Sequence, residues 1–318
     1  MTAREALAVD ERAAALHESL GDVRKRFLVA VKDVRPRLHR FCARMCGSAL
    51  DGEDVVQETL VEAFDSLASL RDENRLEPWL FRIAHHKCVD FLRRERRMRE
   101  DTVSYTPNED PEYDTRTPLA DDESIDEALA SLVTELPPKE RAAVLLKDVL
   151  SYALGEVAEI VDSTVGGVKA ALHRGRAKLR GVQASSSPVQ LDGAQRRLFD
   201  AYVDCFNRRD WDALRKLIQV DARLEVVGAA EGTMLDVGLN YFSNYAAFPF
   251  EWRFSLARID DEPVVVHWRN LGGQWRPVTA VRLWWRDGRV VRIRDYVHVD
   301  YLLADVVPQP VSEAGTRR

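Results

Sequence analysis

The chain has 318 residues, of which 46% are hydrophobic and 31% are charged, and its formal net charge is −6. This length predicts about two to three domains that each bury a core, which excludes a peptide hormone or a small disulfide-stapled scaffold. No apolar run approaches the roughly 18 residues that a membrane span needs, and Asp10, Glu11 and Glu18 argue against an export signal. We therefore expect a soluble, cytoplasmic protein that does not contact a membrane.

The first hundred residues have apolar side chains at helical spacing. We predict a helical extension over 1–26 and a helical bundle over 27–100. The helix expected over 51–70 carries an acidic and amide face suited to a basic protein partner, although composition alone indicates only a solvated face. The side chains proposed to touch that partner are Asp54, Gln57 and Glu58.

A second helix, expected over 77–97, gathers basic side chains on one face. These are Arg82, His86, Arg93 and Arg96. Aromatic Trp79 lies near the helix start. Single-stranded nucleic acid favours this combination because cations follow the phosphates while bases stack on rings. Trp79 is equally suited to a core position, and composition does not decide between the two roles.

Four cysteines occur without a CxxC pair, which fits a reducing compartment without disulfides. His39, Cys42 and Cys46 fall within two turns of one helix, and Cys88 could complete a metal site. Because Cys42 and Cys88 lie on apolar stripes, we favour packing in the core and predict no metal and no cofactor.

An acidic segment separates the first bundle from a second helical region. Residues 101–135 hold one arginine and eleven acidic side chains, together with three prolines. This composition is typical of a solvated linker, which we assign to 101–123.

Residues 153–180 predict a helix-turn-helix within a second helical domain over 124–183. Ser163 or Thr164 can cap the second helix. That helix carries cations and no acidic residue, as expected of a recognition helix that faces phosphates and base edges. The cations are Lys169, Arg174, Arg176, Lys178 and Arg180. The alternative is a solvated basic helix end.

The hydrophobic periodicity of the remaining chain differs from that of the helical regions. An amphipathic helix is followed by alternating segments at 263–269, 275–285 and 289–299, with the hairpin signal Asp287-Gly288 before the last. We predict an α+β domain with a curved antiparallel sheet over 190–306 and a tail over 307–318.

Three ordered motifs resemble the extracytoplasmic-function group of bacterial RNA polymerase sigma factors. DGEDVVQETLVEAF is similar to the family's stretch that binds core polymerase, and PWLFRIAHHKCVDFLRRERR to the stretch that opens the promoter's minus-ten element. The segment from LPPKERAAVLL to ALHRGRAKLR resembles the stretch that reads the minus-thirty-five element. The resemblance covers residues 27–181.

The resemblance implies roles for particular residues. It places Trp79, Arg82, His86, Arg93 and Arg96 at the minus-ten element. It places a second set of side chains at the minus-thirty-five element: Thr164, Val165, Lys169, His173, Arg174, Arg176 and Lys178. Gly167 and Ala170-Ala171 depart from the common pattern, which leaves promoter preference open. The linker would thread the polymerase in an extended form.

From about residue 192 the chain resembles the SnoaL-like branch of the nuclear-transport-factor-2 fold, a cone-shaped α+β barrel. Some such folds are isomerases or hydrolases that place an Asp and a His in an apolar cone. Asp295 is one candidate, and the other candidate pocket residues are His267, Tyr296, His298 and Asp300. A glycine-rich motif that sigma factors with this appendage often carry is absent.

We therefore expect two all-α domains followed by an α+β cone, in a sigma factor that binds core RNA polymerase and promoter DNA. The C-terminal domain is expected to tune this activity through an intramolecular contact with the helical domains or the linker. Two alternatives stay open. One is an enzyme whose cone transforms a small molecule, and the other is a ligand-responsive helix-turn-helix repressor.

Overall fold

A computed structural model describes residues 23, 25–70, 72–102, 135–179, 191–260, 262–303 and 308. Ser48–Leu50 aside, the chain divides into two compact units between Gln183 and Ala184. The predicted extension, linker and tail lie almost wholly outside the described residues. Among the helices that the structure describes, none is long and apolar enough to cross a membrane.

The first unit opens with a helix over 25–31 and three longer helices: α1 (Arg35–Cys46), α2 (Ala49–Asp65) and α3 (Leu76–Thr102). Helix α1 ends at Gly47, whose φ of 83° belongs to the left-handed region that glycine adopts freely. The predicted apolar stripes are buried, with Leu38 and Phe41 on α1 packed in one core with Leu80 on α3. The helices expected within 27–100 are thus present in the described residues, and they share their core with the helices that follow.

Gly52 lies where α2 crosses α1. A Cβ atom at this position would lie 2.5 Å from the Cα and the backbone nitrogen of Ala43. Only glycine therefore permits this close approach of the two helices.

The predicted helix-turn-helix is also present. It consists of α4 (Pro138–Val144), which widens into a π turn over Leu145–Val149, then α5 (Leu154–Ile160) and α6 (Val165–Leu179). Thr164 caps α6, because its Oγ1 accepts a hydrogen bond of 3.0 Å from the backbone N–H of Gly167. Val168, Ala171, Leu172 and Gly175 form the buried side of α6.

The second unit begins with α7 (Gly193–Arg208), capped by Asp192, and α8 (Trp211–Leu217). The remaining elements are β1 (Ile218–Val226), β2 (Ala230–Thr233), α9 (Met234–Ala246), β3 (Trp252–Ile259), β4 (Glu262–Leu271), β5 (Gln274–Arg286) and β6 (Arg289–Asp295). The six strands form one sheet in the order β2-β1-β6-β5-β4-β3. The order does not return to its start, so the sheet is open and is not a closed barrel.

The expectation of an antiparallel sheet is wrong in one respect. Strands β3 to β6 form an antiparallel meander, but β1 pairs in parallel with β6. β1 forms a hairpin with β2, and α9 and three further strands separate it in sequence from β6, so no tight turn forces β1 and β6 to be antiparallel.

Both faces of the sheet of the second unit carry buried apolar side chains. One face packs against α7 and α9 through an aromatic-rich core that includes Phe206, Tyr245 and Phe254. The other face carries a smaller apolar cluster that includes Val264, Val266 and Tyr296.

Candidate functional site

The basic face predicted on α3 lies at the surface of the first unit. Arg82, His86, Arg93 and Arg96 are all exposed, and their spacing places them on one side of the helix. Trp79 is half-buried and packs against the core, so its indole serves the fold while part of it remains accessible. The two roles considered for Trp79 are therefore compatible.

The turn of the helix-turn-helix lies against this basic face. Arg82 donates to one carboxylate oxygen of Asp162 over 2.7 Å, and Nε2 of His86 lies 2.7 Å from the other oxygen. Arg75 forms a further ion pair with Glu159 on α5. The sequence does not reveal these pairs, because the number of carboxylates in residues 136–181 does not show which cation each one meets.

An open cleft of about 680 Å³ lies beside these ion pairs. Pro78, Trp79 and Arg82 line one side, and Ala158, Ile160 and Ser163 line the other. The exposed part of Trp79 therefore faces the cleft together with a guanidinium group.

The junction between α1, α3 and the helix-turn-helix is held by more than the surface ion pairs. The hydroxyl of Tyr152 donates to Glu77 over 2.6 Å, and its ring meets the edge of Phe81 at a centroid distance of 5.3 Å. Burial and this contact with Glu77 raise the pKa of Tyr152. The buried guanidinium of Arg141 donates to the carbonyl of Met45 at the end of α1. These helices share one apolar core.

The predicted DNA-contacting residues on and next to α6 fall into two groups, one exposed and one paired with carboxylates. Lys169 and His173 lie on the exposed side, opposite the buried face, and Thr164 and Val165 are exposed at its start. Three other predicted cations turn toward carboxylates of the same domain. Arg174 and Lys178 approach Glu140 at 2.8 and 3.0 Å, and Arg176 makes two hydrogen bonds of 2.6 and 2.9 Å to Asp148.

Glu140 is 6% exposed although it carries a charge. Burial opposes ionisation, but hydrogen bonds from Arg174 and Lys178 outweigh it and lower the pKa of the carboxyl group. Arg174 and Lys178 thus stabilise the packing of α6 on α4. The end of α6 is therefore less positive than its sequence indicates.

The side chains on the acidic face of α2 also differ in their exposure and contacts. Glu58 is exposed, whereas Asp54 and Gln57 are partly buried. Gln57 donates to Glu53, a fully buried carboxylate that also accepts a 3.0 Å hydrogen bond from Arg35. Sequence reasoning did not single out Glu53. Val61, 63% exposed, is a large apolar side chain at the surface of α2.

The cysteines considered for a metal site do come together. Cys88 on α3 lies close to Cys42 and Cys46 on α1. Burial raises the pKa of Cys42 and Cys88, and the pKa of Cys46 is also raised, mainly by its contact with Cys88. Across the described part of the chain, no group of three or more His, Cys, Asp or Glu side chains is arranged to hold a metal ion.

The second unit buries two titratable groups on the aromatic-rich face of its sheet. Asp295 accepts a 2.6 Å hydrogen bond from the hydroxyl of Tyr245 and a 2.9 Å bond from the N–H of Val297. Burial raises the pKa of Asp295 to about 6, although these bonds and one from Tyr241 act in the opposite sense.

His267 lies in the same core, stacked on Phe248 and close to Phe254. Burial, assisted by the charge of Arg269, lowers the pKa of His267 to about 4. Neither ring nitrogen finds a hydrogen-bond partner within the described ranges. The imidazole is therefore neutral at physiological pH.

The four candidate pocket residues are not brought together. His267 lies on the aromatic-rich face, whereas Tyr296 belongs to the cluster on the other face. His298 and Asp300 are exposed, because β6 ends at Asp295 and the chain turns there. Of the residues considered, Asp295 is the one that shares the interior with His267.

Comparison with known proteins places the first unit in a family. The models of sigma-70 region 2 and sigma-70 region 4 match residues 30–98 and 126–179. The ECF RNA polymerase sigma-E factor of Haemophilus influenzae is 33% identical over 141 residues, which cover 40% of this chain and 71% of that protein.

A longer match extends beyond these two regions. The ECF RNA polymerase sigma factor SigG of Mycobacterium tuberculosis is 27% identical over 276 residues, covering 77% of this chain and 74% of SigG. A solved structure, that of the extracytoplasmic function sigma factor SigJ of the same organism, covers 90% of this chain and 100% of SigJ at 18% identity, with a TM-score of 0.34. The resemblance found in the three sequence motifs is confirmed, and the chain belongs to the sigma-70 family of RNA polymerase sigma factors, in its extracytoplasmic-function group.

Proposed function

We propose that α2, α3 and α6 of the first unit each carry one of the binding functions of a sigma factor. As a member of this family the protein binds core RNA polymerase and directs promoter-specific initiation of transcription; it is a transcription factor, not an enzyme. The observation that supports the division is the presence of two separate exposed basic surfaces, on α3 and α6, and an acidic surface on α2. We expect the protein to act in the cytoplasm, with core polymerase.

We assign the minus-thirty-five element to the exposed side of α6. Lys169 and His173 point away from the helix-turn-helix core. In this motif the N-terminal part of the second helix enters the major groove. Thr164 and Val165 flank Lys169 and His173 at the helix start. Arg174, Arg176 and Lys178 lie at the edges of this surface, where their ion pairs with Glu140 and Asp148 compete with contacts to phosphates.

Replacement of Lys169 and His173 by alanine tests this assignment. Removal of each base-edge hydrogen bond is expected to weaken promoter recognition by about 1 to 3 kcal/mol, while core binding persists. Run-off transcription and a core-polymerase pull-down measure the two effects. Lys216→Ala, which removes an exposed cation of the second unit, is the matched control. Unchanged promoter output in the double variant would refute the assignment.

We assign the minus-ten element to α3 and core binding to α2. Arg82, Arg93 and Arg96 supply cations, His86 supplies a polar ring, and Trp79 supplies a ring on which a base can stack. On α2, Asp54, Gln57 and Glu58 surround the exposed apolar Val61, as expected of a protein-binding surface with an apolar centre.

Val61→Asp tests the polymerase surface because it leaves the buried stripe of α2 intact. We expect affinity for core polymerase to fall at least tenfold, with unchanged circular dichroism. Val220→Asp is a close match, since Val220 is 64% exposed but lies on β1 of the second unit. Equal core affinities of the two variants would remove the assignment of α2.

We propose that the second unit tunes transcription, through contact with the helical domains or the linker. The match with SigG supports a role within the sigma factor itself, because it extends over 77% of this chain. Deletion of residues 184–318 is expected to change run-off transcription several-fold. A truncated protein with the core affinity and promoter output of the full chain would instead favour a separate role for this unit, such as binding of a small molecule.

A further inference from the structure

The turn of the helix-turn-helix makes contacts with α3 that resemble those expected from DNA. One carboxylate, that of Asp162, holds both Arg82 and His86, with each polar pair 2.7 Å apart. Glu159, one turn earlier on α5, pairs with Arg75. A carboxylate offers a guanidinium the same planar pair of acceptor oxygens as a phosphate does.

The backbone at Asp162 is unusual. Its φ is 47°, in the left-handed region where glycine is the unstrained residue and where Asp and Asn occur more often than other side chains. The N–H of Ser163 bonds to the carbonyl of Ala158 over 2.8 Å, which fixes the turn. The chain thus keeps a carboxylate at a position that glycine would occupy with less strain, and this carboxylate is aimed at α3.

The contact is also incompatible with simultaneous binding of both promoter elements. Two elements about two helical turns apart on DNA lie roughly 70 Å from each other. In this structure the turn before α6 touches α3 directly. A promoter-bound arrangement must therefore separate Asp162 from Arg82 and His86.

We propose that Asp162 is an internal competitor of promoter DNA, which occupies Arg82 and His86 in the protein before it engages polymerase. This inference rests on the proposed role of α3 at the minus-ten element. The competitor is weak enough to be displaced, because the three side chains are each about half exposed, at 46% to 53%, and exposed pairs contribute little. The same exposure leaves Arg82 and His86 accessible to a strand of DNA once their contacts with Asp162 are broken.

The test is the affinity of the full-length protein, without polymerase, for a labelled single-stranded DNA of mixed sequence and about 12 nucleotides. Asp162→Asn keeps the shape and tolerates the positive φ, and we expect it to bind about three- to tenfold more tightly than the wild type. Asp162→Gly relieves the backbone strain and should behave in the same way. A second variant guards against a folding defect in the first.

A control must separate competition from a general loss of negative charge. Asp72→Asn removes one charge beside the same cleft, but Asp72 bonds to Asn74 and not to the basic face. We expect it to change DNA affinity less than twofold. The gain from Asp162→Asn should also shrink when Arg82→Ala is present, because the cation that was released is then missing.

Two results would overturn the proposal: an Asp162→Asn protein that binds DNA no better than Asp72→Asn, or a gain that Arg82→Ala leaves intact. Promoter opening by Arg82→Ala with core polymerase separates this failure from failure of the assigned DNA surface. If that variant opens promoters normally, the role of Arg82 at the minus-ten element is wrong. If it opens them poorly while Asp162→Asn changes nothing, only the competitor is wrong.

Discussion

Two buried groups of the second unit should give this protein a pH dependence of stability that is hidden in the wild type. Asp295 and His267 are both 0% exposed. The pKa of Asp295 is raised to about 6 and that of His267 is lowered to about 4. In the unfolded chain the two groups titrate near about 3.9 and 6.5. Folding therefore moves their pKa values in opposite directions.

The sign of each contribution follows from the protons bound. Between pH 4 and 6 the folded unit keeps a proton on Asp295 that the unfolded chain has lost, so stability falls as pH rises through this window. Over nearly the same window the unfolded chain keeps a proton on His267 that the folded unit lacks, so stability rises. Each shift is roughly 2 pH units, which corresponds to about 3 kcal/mol. The two slopes nearly cancel.

Single substitutions should reveal each of the two opposing pH dependences of stability. Relative to Asp295→Asn, the free energy of unfolding of the wild type should decrease by about 3 kcal/mol from pH 4 to pH 7. Relative to His267→Gln, it should increase by about the same amount. Urea denaturation followed by tryptophan fluorescence reports mainly on this unit, because six of the seven tryptophans follow residue 183.

The reasoning is refuted if the Asp295→Asn and His267→Gln proteins show parallel pH profiles. It is also refuted if both differ from the wild type in the same direction, because opposite shifts cannot produce that result.

Further predictions concern the first unit. Gly52→Ala should destabilise it by about 1 to 3 kcal/mol despite the better helix propensity of alanine, because the new methyl group would meet the backbone of Ala43. Gly155→Ala, with nothing within 4 Å of the added Cβ, should instead be neutral or stabilising by up to about 1 kcal/mol; thermal unfolding followed by circular dichroism compares the two. Glu140→Gln should loosen α6 and increase amide hydrogen exchange along it, since Arg174 and Lys178 lose a charged partner; unchanged exchange would show that apolar packing alone holds the helix.

The helices of the first unit were predictable because a single apolar stripe determines which side of a helix is buried. Leu38, Phe41 and Leu80 show that stripe in the sequence and are buried as expected. The contacts of the polar side were not predictable in the same way. Whether Arg174 meets a phosphate or Glu140 depends on how two helices cross, and the spacing along one helix does not contain that information.

The last strand shows a second reason for error. Alternation in the sequence predicts that Val291 and Ile293 share one face and that the strand continues to residue 299. In the structure Val290 and Ile293 are both buried, because the pairing with β5 shifts register between Trp284 and Trp285. A bulge of this kind resets the alternation, and only the partner strand reveals it.

The parallel pairing of β1 with β6 also has a consequence in time. The sheet cannot be completed until β6, which ends at Asp295, has been synthesised, whereas the helices that match the two sigma regions end at Leu179. At about 5 to 20 residues per second, the 116 residues between these two points take roughly 6 to 23 seconds to translate. During that interval a nascent chain has the helices that match the two sigma regions but an unfinished C-terminal unit. Each newly made molecule therefore passes through a stage in which any control by that unit is not yet in force.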